Sequence, residues 1–343
     1  MPYRFKLEEK FDSGFRRIVR EQVKQAEAEL SATSAPASAI HETRKAIKRL
    51  RALLKTAAPT LGAKAARKHD RVFRDIARAL SSRRDDDVIE ATVVSLESRY
   101  GADAVAILAP LRSALDNAKA TVVPALDAAR TQELREALKT EGKKLRKLRL
   151  KGFGLSAVIE GTGASYAAGR RALKRAIKQP SDERIHDLRK TVQAHWRHMA
   201  LLSRAWPEEF AARVMVSREL SQVLGDDHDL VLVKTAASQL AGDDTTAASA
   251  EAIIELCERR QADLRDAMKP HAARLYAESP QAFMDRLTVY VQTARRNQEP
   301  VKKVSVQPPP DKAIEKTADK ANGAAPRETG AASPPAIAAK TPG

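Results

Sequence analysis

The sequence has a single cysteine, few aromatic residues and no long apolar run. One cysteine, Cys257, excludes an internal disulfide framework and any zinc site built from several cysteines. It ends the apolar run that begins at Ile253, which predicts a buried, unreactive thiol. Aromatic residues make up only 4% of the chain, which weighs against the stacking platforms of single-strand nucleic-acid binders. No apolar stretch approaches the ~18 residues that a membrane-spanning helix needs.

Positive charge is what the chain has in excess. It carries 61 Lys and Arg residues against 44 Asp and Glu, a formal charge of +17. Such an excess says little about fold but favours polyanionic partners. The first ten residues are polar and charged and lack the apolar core of a signal peptide. We therefore expect a soluble, cytoplasmic protein without a membrane partner, and the sequence sets no oligomeric state.

Apolar residues recur at helical spacing through most of the chain, and no segment alternates as a strand does. The pattern predicts an all-α protein with helices near residues 8–30, 38–57, 62–82, 86–99, 104–127, 131–149, 155–178, 182–204, 208–224, 228–240, 246–271 and 280–297. Proline and glycine predict the breaks between them, at Pro36, Pro59, Gly101, Gly152–Gly154, Pro180, Pro207, Gly225 and Pro270.

The C-terminal segment, residues 299–343, differs in composition from the rest. It holds 8 of the 17 prolines, has no aromatic residue and carries a net charge of +2. Such a segment cannot bury enough apolar surface to offset its chain entropy, so we predict a disordered Pro-rich tail.

One hexapeptide pattern occurs twice. Ile40–Lys45 reads IHETRK, and Ile185–Lys190 reads IHDLRK 145 residues later. A second matched pair, Arg74–Asp85 and Arg218–Asp229, follows at an offset of 144. Two blocks in the same order and spacing predict an internal duplication, with a unit larger than the roughly 20–50 residues of a solenoid repeat. We place the two helical-bundle repeats at residues 1–150 and 151–298.

The helix that carries the first motif has a cationic face. At ~100° per residue, six side chains fall within about 120° of one another: His41, Arg44, Lys45, Lys48, Arg51 and Lys55. The opposite side is apolar, with Ile47, Leu50, Leu53, Leu54 and Ala57. A charge run is usually only a solvated face, but this one contains almost no acid and recurs in the duplicate.

The corresponding face of the second copy is weaker in charge. Its cationic residues are His186, Arg189, Lys190, Arg197 and Arg204. Gln193 and Trp196 stand where the first copy has a lysine and an arginine. Two further histidines, His195 and His198, fall on the apolar side, and we interpret them as hydrogen-bonded core or edge residues.

Other helices add cationic stripes. One comprises Arg67, Arg71, Arg74 and Arg78, and another Arg171, Lys174, Arg175 and Lys178. Packed side by side, such stripes would form a continuous basic surface. Arginine grips two oxygens with a planar fork and lysine is a mobile point charge, a mixture that suits a flexible polyphosphorylated chain. A histidine beside phosphates would have its charged form favoured.

Two acidic clusters, Asp85–Asp87 and Asp226–Asp229, follow predicted helices and precede others. We interpret them as helix N-caps or as partners of the motif histidine or arginine. Metal binding or catalysis is the alternative, because His228–Asp229 forms an HD doublet like that of metal-dependent phosphohydrolases. Its counterpart in the first copy is Arg84–Asp85, and arginine is a poor metal ligand.

These motifs resemble the CHAD family, the conserved histidine α-helical domain. The segments that carry the resemblance are His41–Arg51 and Leu80–Val88 in the first copy, with His186–Lys190 and Leu224–Asp229 in the second. The resemblance runs from about Tyr3 to Asn297. It implies two helical bundles related by pseudo-twofold symmetry, a shared basic surface that binds inorganic polyphosphate, and a location at polyphosphate or storage granules.

By that resemblance the polyphosphate-binding residues are His41, Arg44, Lys45, Lys48, Arg51, His186, Arg189 and Lys190. The basic faces and the second matched pair add Lys55, Arg74, Arg197 and Arg218. We expect a non-enzymatic polyphosphate binder with no cofactor, no metal and no catalytic residues, which also accepts other polyanions. A metal-dependent phosphohydrolase and a nucleic-acid-binding protein are the alternatives.

Overall fold

A computed structural model describes residues 3–31, 37–80, 84–119, 127–240 and 244–297, and these ranges contain eleven helices and no strand. The helices are α1 (Phe11–Glu29), α2 (Ala37–Leu61), α3 (Ala63–Ala79), α4 (Arg84–Tyr100), α5 (Ala102–Lys119), α6 (Ala128–Arg146), α7 (Leu155–Lys178), α8 (Asp182–Leu202), α9 (Pro207–Ser238), α10 (Asp244–Leu275) and α11 (Pro280–Asn297). The all-α prediction is confirmed. No helix in these ranges is long and apolar enough to cross a bilayer. The Pro-rich tail lies outside them.

Several predicted helix ends are found where glycine and proline placed them. Gly101 and Gly152 have positive φ angles of 70° and 80° and follow α4 and α6, as expected of residues that reverse the chain. Pro207 begins α9, where a missing N–H costs no helical hydrogen bond. The bounds of α7 and α11 agree with the prediction at both ends.

Three predicted breaks are wrong. Pro59 lies inside α2, Pro270 inside α10 and Gly225 inside α9. Each proline is within the last six residues of its helix, where few hydrogen bonds remain to be lost. An interior glycine costs a helix only about 1 kcal/mol relative to alanine, which packing can offset. The segments predicted as 208–224 and 228–240 therefore form one continuous helix, α9.

The buried residues form two clusters. The larger one draws on both predicted repeats, from Phe15 of α1 to Val291 of α11. The smaller one joins α4 and α5 to α9 and α10. Helix α9 belongs to both, because Leu220 packs in the larger cluster and Val233 in the smaller.

Helix packing follows the same order in the two halves of the chain. Helix α1 packs against α2 and α6, and α2 packs against α3. In the second half α7 packs against α8 and α11, and α8 packs against α9. The two motif helices also meet directly, since α2 contacts both α7 and α8. This contact brings the two copies of the motif to one region of the molecule.

The crossing of α2 and α7 is unusually close. Pro59 has no N–H, so the Lys55 carbonyl four residues earlier receives no helical hydrogen bond from it. Helix α7 passes at this point: a Cβ on Gly161 would lie 2.6 Å from the carbonyl oxygens of Lys55 and Thr56. Only glycine fits there. The close crossing fixes the end of α2 that carries Lys55.

Candidate polyanion site

Helix α2 has the two faces that its sequence predicts. Ile47, Leu50 and Leu53 are fully buried. His41, Arg44, Lys45, Lys48 and Arg51 are half-buried and Lys55 is exposed. The apolar face therefore docks the helix on the core, and the cationic side chains lie along its boundary with solvent.

Arg44, Lys45 and Arg51 contact protein groups. The Arg44 guanidinium donates from Nη1 to the Ala77 carbonyl of α3 at 3.0 Å, and Lys45 Nζ lies 3.0 Å from Glu42 Oε1. Arg51 binds both carboxylate oxygens of Asp70, at 2.7 and 3.0 Å. A two-point arginine–carboxylate contact fixes orientation as well as contributing energy. Arg44 and Arg51 therefore also hold α3 against α2.

The two motif helices meet at Lys55. Loss of hydration lowers the pKa of the Lys55 ammonium, and the charges of Arg51, Arg197 and Lys190 lower it further, against the opposing effect of Asp70. Because the side chain still reaches solvent, this loss of hydration is partial. Lys55 and Arg51 come from α2, and Lys190 and Arg197 from α8. We call these four residues the central basic cluster.

The second motif presents Lys190 more openly. Its side chain is 60% exposed and its Nζ lies 3.0 Å from Asp187 Oδ1 one turn earlier. One turn towards the helix start, the His186 ring lies against the His228 ring of α9, with centroids 4.3 Å apart. Burial lowers the pKa of His186 to about 4, and the nearby His228, Lys190 and Arg189 contribute in the same direction. His186 is therefore neutral at pH 7 when no anion is bound.

Trp196 supports two predicted arginines. The guanidinium carbon of Arg197 lies 4.1 Å from the Trp196 ring centroid, and that of Arg218 from α9 lies 4.9 Å from it. Arg197 also donates to the Gln193 carbonyl at 2.6 Å and is only 5% exposed. The prediction that Arg197 lies on the open face of α8 is therefore wrong, because the tryptophan covers it.

The remaining predicted residues differ in their surroundings. Arg189 lies beside the α9 backbone, where a Cβ on Gly225 would be 3.1 Å from its Nη2, and its charge acts on Asp226. Arg74 is exposed on α3, and its Nε lies 3.6 Å from Asp75. Among the described residues, no contact connects Arg74 with the central basic cluster.

The second acidic cluster does not cap a helix, because Asp226–Asp229 lies within α9. Asp227 is 2% exposed and binds Arg265 of α10 at 2.8 Å. Arg265 also binds Asp182 in the first turn of α8, at 2.5 Å. Burial raises the pKa of Asp227, whereas hydrogen bonds from Lys234 and Arg265 outweigh desolvation at Asp182 and lower its pKa. The network ties the start of α8 to α9 and α10.

The first acidic cluster lies in the first turn of α4, which begins at Arg84. Asp86 and Asp87 are exposed there and are not N-caps, since they are already inside the helix. Negative charge in a first turn still suits the helix dipole. The Asp85 side chain lies outside the described part of the structure.

His195 and His198 are confirmed as core residues, with exposures of 2% and 1%. His198 Nε2 donates to the Ala52 carbonyl of α2 at 2.9 Å. Neither ring nitrogen of His195 has a hydrogen-bond partner among the described residues, so its predicted hydrogen bond is not found. Burial lowers the pKa of each histidine to about 3.

Sequence reasoning missed three features of the site: Asp70 as the partner of Arg51, His228 as the neighbour of His186, and Gly161 at the helix crossing. Each depends on a contact between two different helices, for which the sequence carries no local signal. The part of the structure that is described contains no group of three or more His, Cys, Asp or Glu able to hold a metal ion. Cys257 is buried, which raises its pKa to about 12.

Fold and site together define an all-helical protein whose two motif helices present cations in one region. The CHAD domain family matches residues 17–238, about two thirds of the chain, and the protein belongs to this family. No curated protein sequence matches the chain.

Proposed function

We propose that this protein is a non-enzymatic binder of inorganic polyphosphate. The observation that carries the proposal is the central basic cluster, in which cations from both motif copies come together where α2 contacts α8 and add to the effect of burial in lowering the pKa of Lys55. Holding like charges together in the free protein costs energy. A bound polyanion removes that repulsion, so the site gains more from a ligand than isolated surface cations would.

The chemistry of the cluster suits phosphate. Beside the cluster, Arg218 is oriented by Trp196, and an oriented guanidinium loses less conformational freedom when it binds an anion. Lys55 and Lys190 reach solvent and can follow a flexible chain of phosphates as point charges. Family membership supports the same ligand, because the CHAD resemblance implies polyphosphate binding and a location at polyphosphate or storage granules.

Phosphate chains fit this site better than nucleic-acid bases do. Trp196 is the one aromatic residue of the α2 and α8 cationic faces, and two guanidinium groups already lie over its ring. Single-strand binders need aromatic surfaces on which bases stack. A ligand that offers only phosphate loses nothing when the ring is already covered.

The proposal predicts tight binding of long-chain polyphosphate with a steep salt dependence. Each phosphate that a cation neutralises releases counterions. For single-stranded nucleic acids, each such contact makes the slope of log K against log salt more negative by about 0.7. The two lysines of the central basic cluster that reach solvent, Lys55 and Lys190, would contribute about −1.4 to this slope by the same rule, and further contacts would make it steeper. Calorimetric titration of polyphosphate at salt concentrations from about 50 to about 500 mM measures this slope.

Competition decides between polyphosphate and nucleic acid. Duplex and single-stranded DNA at equal phosphate concentration should displace labelled polyphosphate poorly at every salt concentration. Equal displacement by DNA would contradict the proposal. Release of orthophosphate from polyphosphate in the presence of divalent metal would favour the phosphohydrolase instead.

A further inference from the structure

The outer face of α7 combines an apolar groove with cations that have no ion-pair partner in the described part of the chain. From Gly161 to Lys178 the helix contains no acidic residue. Arg171, Lys174, Arg175 and Lys178 are exposed, and none of them forms an ion pair with another described residue. Elsewhere, exposed lysines such as Lys190 lie beside an acid one turn away. The α7 cations therefore keep their charge available to a ligand.

The groove is an open depression of about 500 Å³ between α7 and the end of α10. Leu173, Ile177 and Tyr276 supply its apolar lining, and Arg170, Lys174 and Lys178 its cations. Ile177 is 48% exposed. A single exposed isoleucine is ordinary, but here it lies in a groove between cations.

The walls of the groove are fixed before any ligand arrives. Gly169 leaves room for the Tyr276 ring, which a Cβ at this position would overlap. The Tyr276 hydroxyl lies 3.5 Å from Thr191 Oγ1 of α8. The Arg170 guanidinium donates to the Ala277 carbonyl at 3.3 Å, which holds it at one edge. A preformed groove lowers the entropy cost of binding.

We propose that this groove binds a single-chain anionic amphiphile, with its alkyl chain along Leu173 and Ile177 and its anionic head at Lys174 and Lys178. Polyphosphate would gain nothing from the apolar lining, and a neutral lipid would leave the cations unused. An alkyl phosphate or fatty acid matches both halves. This site is separate from the polyphosphate proposal and does not rest on it.

Calorimetric titration with octyl, decyl and dodecyl phosphate below their micellar concentrations tests the groove. Affinity should rise about two- to fourfold for each added methylene, because each one buries further apolar surface. Inorganic phosphate and a neutral dodecyl maltoside should bind at least tenfold more weakly than dodecyl phosphate. Affinity independent of chain length would overturn the proposal.

Pairs of matched variants test whether the ligand binds in this groove. Ile177→Gln should weaken dodecyl phosphate binding at least fivefold, whereas Val289→Gln, at a similarly exposed apolar position on α11, should leave it unchanged. Lys174→Gln with Lys178→Gln should weaken binding to a similar degree. If the lysine pair weakens polyphosphate binding but not dodecyl phosphate binding, the stripe serves the polyanion and the amphiphile site is refuted. Circular dichroism confirms that each variant is folded.

Discussion

Replacing both Lys55 and Lys190 with glutamine should weaken polyphosphate binding about 25- to 100-fold at low salt. A charge-assisted contact contributes roughly 1.5–3 kcal/mol when buried and less when exposed, so about fivefold to tenfold for each of these lysines is expected. The slope of log K against log salt should also become shallower by about 1.4, from two lost phosphate contacts. Titration of polyphosphate across a salt series measures both quantities.

A matched control separates this site from general charge. Lys139 of α6 and Lys269 of α10 are exposed, and each lies beside an acid three residues earlier, as Lys190 does. The variant Lys139→Gln with Lys269→Gln has the same net charge as the test variant and should bind polyphosphate within about twofold of the unaltered protein, since exposed pairs contribute little. Equal losses in the two double variants would show diffuse attraction without a central site.

Mild acid should destabilise the protein through two buried histidines. His195 and His198 have pKa values of about 3 in the folded chain and about 6.5 when unfolded. Between these values the unfolded chain binds more protons, so the free energy of unfolding falls as the pH drops through 6.5 and continues to fall towards 3. At pH 5 the loss is about 2 kcal/mol per histidine. Urea denaturation at pH 7 and pH 5 measures it.

A single variant isolates the His195 contribution. His195 lies among aromatic rings, with centroids 5.5 Å from Tyr166 and 5.6 Å from Phe283. His195→Phe removes the titrating group without removing a hydrogen bond of the described residues, so the loss of stability between pH 7 and pH 5 should shrink by about 2 kcal/mol. If the larger phenylalanine ring disturbs packing, His195→Leu is the alternative variant that removes the same titrating group. His271→Gln, at a half-exposed position, should leave the loss unchanged. An undiminished loss in both His195 variants would contradict this account.

Local patterns in the sequence predict the helices and faces well. The apolar period of α2 identified Leu50 and Leu53 as buried, and Gly101 marked a helix end. The predicted helix break at Gly225 is wrong because that prediction considered only the low helix propensity of glycine. Its actual role, close approach to Arg189, depends on a helix distant in the sequence.

The sequence predicts which cations belong to the site, but it does not predict which of them lie close together in the folded protein. Lys55 and Lys190 were identified from their positions on helical faces, yet their proximity follows from the contact between α2 and α8. Helical spacing places Arg197 on the same face of α8 as the exposed Lys190, but the neighbouring Trp196 ring covers the Arg197 side chain. Such shielding depends on side-chain conformation, which spacing along the chain does not encode.

The continuity of α9 has a consequence for cooperativity. One helix supplies Phe210 and Leu224 to the larger buried cluster and Leu230 and Ala237 to the smaller one. Its backbone hydrogen bonds run without interruption between them, so opening of the smaller cluster removes the packing support of a helix on which the larger one also depends. We therefore expect α9 to join the two clusters into one unfolding unit, so that amide hydrogens on both sides of Gly225 exchange through the same opening.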